Sequence, residues 1–135
     1  MAVKVLCAFQ NEEVFNFIKS ALSNYECDLI KASSEALALF LAQKNHPCVI
    51  ICEHDESGSW ALNFLNELKA EESLQSIPVV FLMRRSAQSI ELPQIEPPSG
   101  VELLMWYPIE SYEFCTAIKR YLVEWKSDWL PETPE

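Results

Sequence analysis

The most constraining stretch of the chain is the run Cys48-Val49-Ile50-Ile51-Cys52, which follows directly after Pro47. An apolar run of this length is typical of a strand that is buried on both faces, as the central strands of a parallel sheet are. Four other short strand-like runs precede and follow it, and helix-like segments separate them. The four runs are Val3–Ala8, Asp28–Lys31, Pro78–Met83 and Leu103–Trp106. Strands that alternate with helices over short links predict a parallel sheet that carries helices on both faces.

Polar residues that can cap helices precede three of the helix-like segments. The side chains of Asn11, Ser34 and Ser111 can accept hydrogen bonds from the backbone N–H groups of a first helical turn, so we expect helices to begin after them. The inner side of the helix after Ser34 is expected to consist of Leu37, Phe40 and Leu41.

Prolines interrupt the alternation between the fourth and fifth strands. The segment 86–100 contains Pro93, Pro97 and Pro98. Proline removes a backbone donor and disfavours helical backbone before it, so the fourth helix should be short or missing. We expect one domain over residues 1–125, followed by an acidic, proline-containing tail over residues 126–135.

The chain is acidic as well as apolar. Its 135 residues carry a formal net charge of −10 at pH 7. Nucleic-acid phosphates and anionic lipid repel such a chain, so we expect neither a nucleic-acid nor a membrane partner. No apolar run approaches the roughly 20 residues of a membrane span, and the N-terminus lacks the features of a signal peptide. The expected location is therefore the cytoplasm.

The five cysteines are odd in number, which argues against a complete set of disulfides and for free thiols. A zinc site is suggested by the proximity in sequence of His46, Cys48, Cys52 and His54. Strand geometry argues against it, because Cys48 and Cys52 would lie about 13 Å apart along one strand. Two sulfurs bound to the same zinc must be much closer. We expect no metal site.

Glycine is scarce, and this excludes the common phosphate-binding loops. The chain contains only Gly58 and Gly100, so neither a P-loop nor a dinucleotide-binding fingerprint can form. The loop after the first strand, residues 9–11, has no Ser, Thr or Gly for a flavin phosphate. No arrangement of nucleophile and base is evident either. We expect no cofactor and no enzymatic activity.

Three prolines mark the strands in a way that resembles a known family. Pro47 precedes the third strand, Ile77-Pro78 begins the fourth, and Tyr107-Pro108 follows the fifth. With these spacings, residues 3 to about 125 resemble the CheY-like receiver domain of bacterial response regulators. The resemblance implies a flavodoxin-like, doubly wound α/β fold. Its five-stranded parallel sheet would have the order 2-1-3-4-5.

The resemblance also implies where the phosphorylation site of a receiver would lie, and every position of it is changed. An acidic pair falls on Phe9 and Gln10, the phosphoacceptor Asp on Glu53, the Thr or Ser on Met83, and the Lys on Tyr107. Mg²⁺, which phosphoryl transfer needs, prefers oxygen ligands that Phe9 cannot supply. We therefore expect no binding of Mg²⁺ at physiological concentration.

Glu53 has three interpretations at this point. It is a permanent mimic of the phosphorylated state, a carboxylate without a switching role, or a cation ligand together with Asp55. Asp55 is also the best remaining candidate for phosphorylation, although it lies two residues beyond Glu53.

The resemblance and its changed site predict a phosphorylation-independent pseudo-receiver that acts by binding a signalling protein. The partner would be a histidine kinase, a response regulator or a clock component. One alternative is a true response regulator that is phosphorylated at Asp55 or Glu53. The other is a small flavodoxin-like enzyme or cofactor binder.

The fifth strand is the predicted docking site. Leu104 stands where receivers usually have an aromatic switch residue, and Trp106 alternates onto the same side of the strand. The proline-rich segment 86–100 would leave this side less well covered. Because exposed aromatic residues are typical of interfaces, we expect Leu104 and Trp106 to contact a partner or a second copy of the chain.

Overall fold

The computed structural model describes residues 3–9, 11–23, 25–54, 60–83 and 99–122, together with the backbone of residue 84 at the end of β4 and of residues 123–124 at the end of α4. Five strands lie in the described residues: β1 (Val3–Ala8), β2 (Cys27–Ala32), β3 (Val49–His54), β4 (Val79–Arg84) and β5 (Leu103–Tyr107). So do four helices: α1 (Glu12–Ala21), α2 (Glu35–Asn45), α3 (Ala61–Ala70) and α4 (Ser111–Glu124). None of these helices is long and apolar enough to cross a membrane.

The strands form one parallel sheet in the order β2-β1-β3-β4-β5, which confirms the predicted flavodoxin-like α/β fold. Residues 49–52 of the predicted run lie in the middle strand, Cys48 directly precedes it, and all five side chains of the run are buried. The edge strand β2 is mostly half-buried. The most apolar run thus forms the central strand of the five, where burial on both faces is greatest.

The core consists of two clusters, one on each face of the sheet. Alternate residues of a strand point to opposite faces, so Leu6 and Cys7 enter different clusters. Residues of α1 and α4, among them Ile18 and Phe114, cover the first face. Residues of α2 and α3, among them Ala38 and Phe64, cover the second. The predicted cover of helices on both faces is thus confirmed.

Two of the three predicted helix caps are present. The Asn11 side chain accepts a hydrogen bond from the backbone N–H of Val14 at 3.1 Å. The Ser34 hydroxyl accepts one from Leu37 at 3.2 Å. The third prediction was off by one residue, because α4 begins at Ser111 itself.

The predicted inner face of α2 is wrong. Leu37 and Phe40 are 41% and 57% exposed, and Leu41 is half-buried, whereas Ala38 and Ala42 are completely buried against the sheet. The helix is apolar on nearly all sides, so its pattern favours no single face. The two alanines allow the helix to lie close to the strands, and this decides its orientation.

Two expectations lie outside the described residues. The short or missing fourth helix was predicted within the segment 86–100, of which residues 86–98 are not described. The tail over residues 126–135 is likewise outside.

Candidate functional site

All strands of a parallel sheet end at the same edge, and ligands of such folds bind there. Phe9 follows β1 directly, while Glu53, Met83 and Tyr107 stand at or near the ends of β3, β4 and β5. The structure thus brings four of the six predicted pocket residues to one edge of the sheet. The other two, Gln10 and Asp55, lie outside the described residues.

Phe9 belongs to the core rather than to an open pocket. Its side chain is 1% exposed and packs in the first cluster with residues of α1 such as Val14 and Ile18. Burying a ring of this size is a large apolar contribution to stability. An apolar side chain therefore occupies the position at which the resemblance places a metal-binding carboxylate.

Glu53 is hydrogen-bonded to the beginning of α1. One oxygen of its half-buried carboxylate, Oε1, accepts a hydrogen bond from the backbone N–H of Asn11 at 3.3 Å. The first turn of a helix presents N–H groups and a partial positive charge, and both stabilise an anion there. The carboxylate thus has a structural role: it joins the end of β3 to the start of α1.

Met83 and Tyr107 do not restore the missing phosphate-binding groups. Met83 is 4% exposed, and a thioether cannot donate a hydrogen bond. Tyr107 donates a hydrogen bond from its hydroxyl to Oε2 of Glu13 at 3.4 Å. Its ring also packs edge-on against Phe17, with 5.4 Å between the ring centres. Tyr107 therefore connects the end of β5 to α1. At this position a receiver would carry a cationic side chain.

The residues at this edge do not fit a magnesium ion. Mg²⁺ requires near-octahedral coordination by oxygen atoms. Phe9 and Met83 supply none, and Glu53 is already bonded to Asn11. Among the described residues, no group of three or more His, Cys, Asp or Glu side chains could hold a metal ion.

The cysteines are free thiols. Burial raises the pKa of the Cys7 thiol to about 12, and it raises the pKa of Cys52 as well. Both therefore remain protonated and unreactive near neutral pH. His46 ends α2 with a left-handed backbone (φ 47°), and the ring of His54 packs on Phe81.

Leu104 and Trp106 of the predicted docking site are both half-buried. Leu104 packs against the second cluster, so it contributes to the core. Trp106 pairs in register with Met83 of β4. The large apolar side chains that are exposed lie elsewhere in the described chain, and our sequence analysis missed them as surface residues. They are Leu37, Phe40, Leu62 and Tyr112.

The exposure of the α2 residues had a signal in the sequence. Ala38 and Ala42 are four residues apart and lie on one side of the helix. Two small residues so spaced are the ones that allow a helix to approach a sheet closely. The larger neighbours Leu37 and Phe40 then face outward.

The sheet order is that of the flavodoxin-like folds, which include the receiver domains of response regulators. No protein-family model matches the sequence, and no curated protein matches it either. Solved structures do match, and response regulators and their receiver domains are among them. A response regulator from Desulfuromonas acetoxidans is 26% identical, with a TM-score of 0.68 over 89% of this chain and 96% of that one.

Two further structures are less identical in sequence but have higher TM-scores and cover larger shares of both chains. A signal receiver domain from Vibrio parahaemolyticus is 16% identical, with a TM-score of 0.75 over 99% of this chain and 100% of that one. The chemotaxis response regulator CheY4 of Vibrio cholerae is 16% identical, with a TM-score of 0.71 over 90% of this chain and 100% of that one. The resemblance to CheY-like receivers is thus confirmed in the fold.

Proposed function

We propose that this chain is a signalling module of the pseudo-receiver type, which acts by binding another protein and does not depend on phosphorylation. The observation that carries the proposal is the hydrogen bond between Glu53 and the backbone N–H of Asn11. This hydrogen bond engages the carboxylate at the phosphoacceptor position in a structural contact. The neighbouring Phe9 is core, and this makes a metal-assisted reaction at Glu53 unfavourable.

Electrostatics supports the same proposal. A phosphoryl group brings negative charge, and transfer to a carboxylate needs cations to neutralise it. Glu12 and Glu13 directly follow Asn11, whose backbone N–H is bonded to Glu53. Lys31 pairs with Glu12, but the lysine position of a receiver holds Tyr107. The chain as a whole carries a net charge of −10. A further anion at this edge would therefore be repelled.

The proposed partner is a signalling protein: a histidine kinase, a response regulator or a clock component. We place its docking site on the side of β5 that carries Leu104 and Trp106. Trp106 retains part of its surface for contact, and aromatic residues are frequent anchors of interfaces. A second copy of the chain is an alternative occupant of this side. The module has no catalytic activity in this proposal and works in the cytoplasm, in keeping with its free thiols.

A phosphorylation assay tests the proposal directly. The protein is incubated with acetyl phosphate and Mg²⁺, and its intact mass is compared with that of an untreated sample. We expect no gain, either in the wild type or in Glu53→Asp, which restores the carboxylate type of a receiver. A receiver that retains its acidic pair serves as the positive control. A gain of one phosphate that is lost in Asp55→Asn or Glu53→Gln would overturn the proposal in favour of a true response regulator.

The enzyme or cofactor-binding alternative requires a separate measurement. An absorbance spectrum of the freshly purified protein would reveal a bound flavin. We expect only the absorbance of the aromatic side chains.

A further inference from the structure

The strand β2 is an edge of the sheet, and some of its backbone hydrogen-bonding groups point away from the neighbouring β1. The backbone N–H of Phe9 donates to the carbonyl of Ala32 at 3.0 Å. In a parallel pair, alternate residues bond to the neighbouring strand, so the even-numbered residues of β2 face β1. The N–H and C=O groups of Leu29 and Lys31 therefore point to the other side. In the part of the chain that the structure describes, no strand lies there.

An apolar groove runs beside this edge, between β2 and α1. Its volume is about 600 Å³, and Phe15, Leu22, Tyr25 and Leu29 are among the residues that line it. All of these except Leu22 are only half-buried. If another strand were added beside β2, every second side chain of that strand would point toward α1 and into this groove. The edge and the groove thus offer backbone partners and side-chain space to the same extended chain.

The strand β2 lacks the usual protection of an edge strand. Edge strands commonly carry prolines or charged side chains that prevent another strand from pairing with them. β2 contains no proline, and on the side of α1 it presents Cys27, Leu29 and Lys31. The ammonium group of Lys31 pairs with Glu12 and lies 5.3 Å from the centre of the Phe15 ring. The one charge on this side of β2 is therefore engaged by α1.

The charges beside the groove indicate what kind of chain fits it. Lys19 is exposed and lines the groove. Asp28 is also exposed, and the alternation of the strand directs its side chain to the opposite side from Leu29. An added strand that complements both charges carries an acidic side chain on the groove side and a basic one on the other side. The remaining side chains on the groove side would be apolar.

We propose that the free edge of β2 binds an extended peptide segment of a partner protein as a sixth strand. Every second side chain of the segment is apolar and lies in the groove, with an acidic side chain beside Lys19 and a basic one beside Asp28. Main-chain hydrogen bonds to Leu29 and Lys31 supply affinity, and the groove supplies selectivity. The proposal does not rest on the docking site at β5 or on the absence of phosphorylation, since β2 is the opposite edge of the sheet.

Amide hydrogen exchange, followed by NMR on the full chain, tests the proposal. The probe is the synthetic peptide acetyl-Val-Thr-Val-Lys-Glu-Thr-Val-Thr-amide. With saturating peptide, the amides of Leu29 and Lys31 should exchange at least about 10-fold more slowly than in the free protein. The amides of Asp28 and Ile30, which already face β1, are the internal control and should keep their rates. Slow exchange of Leu29 and Lys31 in the free protein overturns the proposal, as does the absence of binding at millimolar peptide.

N-methylated peptides test whether the backbone of the peptide pairs with β2. One peptide carries N-methyl groups on the residues of its groove side, and the other carries them on the remaining residues. Only one set of N–H groups can face β2. We therefore expect one peptide to bind as the parent does and the other to bind at least about 10-fold more weakly. Unimpaired binding of both peptides would show that no strand is added.

A charge exchange locates the peptide in the groove. Lys19→Glu should weaken binding of the parent peptide about 5-fold, the size of an exposed ion pair. A peptide with lysine in place of its glutamate should bind this variant more tightly than it binds the wild type. Lys119→Glu on α4 is the matched control, because it is exposed and changes the net charge equally. Equal losses in the two variants would show a general effect of charge and remove Lys19 from the proposed site.

Discussion

The carboxylate of Glu53 and the backbone N–H of Asn11 are joined by a hydrogen bond of 3.3 Å, although 42 residues separate them in the chain. Asn11 also caps α1, because its side chain accepts a hydrogen bond from Val14. Asn11 thus both bonds to the carboxylate near the end of β3 and caps the N-terminus of α1. A contact of this kind holds the two elements in one relative position.

Glu53→Gln should lower the free energy of unfolding by about 0.5–1 kcal/mol. The amide oxygen can still accept the hydrogen bond from Asn11, but the favourable interaction of the anion with the helix N-terminus is lost. Glu53→Ala, which loses the acceptor as well, should cost about 1–2 kcal/mol. Urea denaturation measures both. Glu72→Gln, at an exposed position after α3, is the control and should change stability by less than about 0.5 kcal/mol. Equal effects at positions 53 and 72 would contradict a structural role for Glu53.

Phe9→Ala should lower the free energy of unfolding by about 3–5 kcal/mol, because the ring is completely buried and its removal leaves a cavity. Phe40→Ala is the matched control: it is the same substitution at a residue that is 57% exposed. It should cost far less, since little buried surface is lost. Denaturant titration of the two variants gives the comparison. Similar losses would mean that Phe9 is not the core residue that replaces the acidic pair.

Mg²⁺ at low millimolar concentration should leave the tryptophan fluorescence unchanged. The reason is that Phe9 offers no oxygen ligand and Glu53 is engaged with Asn11. Trp106 is a suitable reporter, because it pairs with Met83 at the same edge of the sheet. A saturable change that disappears in Glu53→Gln would show that a metal pocket persists.

The sequence predicted the sheet well, and the reason lies in burial. Runs such as residues 48–52 have to be covered on both faces, which places them centrally. Caps are also local, so Asn11 and Ser34 could be recognised from their own neighbourhood. The orientation of α2, by contrast, depends on how the helix packs against the sheet. Phe40 faces outward because the two alanines of the helix fit closer to the strands, and the sizes of the side chains, not the apolar pattern, carry that signal.

The candidate site was predictable only in part, for a related reason. The resemblance placed Glu53 and Tyr107 at one edge of the sheet, and the structure has them there. Their bonding partners, Asn11 and Glu13, are distant in sequence and lie at the start of α1. Such contacts depend on how a helix lies on the sheet, which strand and helix patterns do not specify.

The stability of the protein should fall in alkaline solution, and Cys7 should contribute to this. Burial raises its pKa from 9.0 to about 12 in the folded state. The folded chain therefore retains a proton that the unfolded chain releases above about pH 9, so stability is lost as the pH rises through this window. One such group contributes at most about 1.4 kcal/mol per pH unit.

Cys7→Ala should consequently reduce the slope of unfolding free energy against pH between about pH 9 and 12, without changing the slope near pH 7. Urea titrations at a series of pH values measure these slopes. Cys115→Ala is the comparison: burial raises the pKa of that thiol too, but the thiol is only partly buried, so its removal should change the slope less. An unchanged alkaline slope in Cys7→Ala would contradict the role of this thiol.

Trp106→Ala distinguishes a docking residue from a core residue. The side chain is half-buried, and it lies on the same side of β5 as Leu104, which packs against the second cluster. If Trp106 anchors a partner, the variant should melt within a few degrees of the wild type. Calorimetric titration with a signalling protein that is encoded beside it should then show a loss of affinity typical of an interface anchor, at least about 30-fold. If the ring is core, the variant should lose about 3–5 kcal/mol of stability, as Phe9→Ala does. A large drop in melting temperature with unchanged binding of the folded fraction would therefore remove Trp106 from the proposed interface.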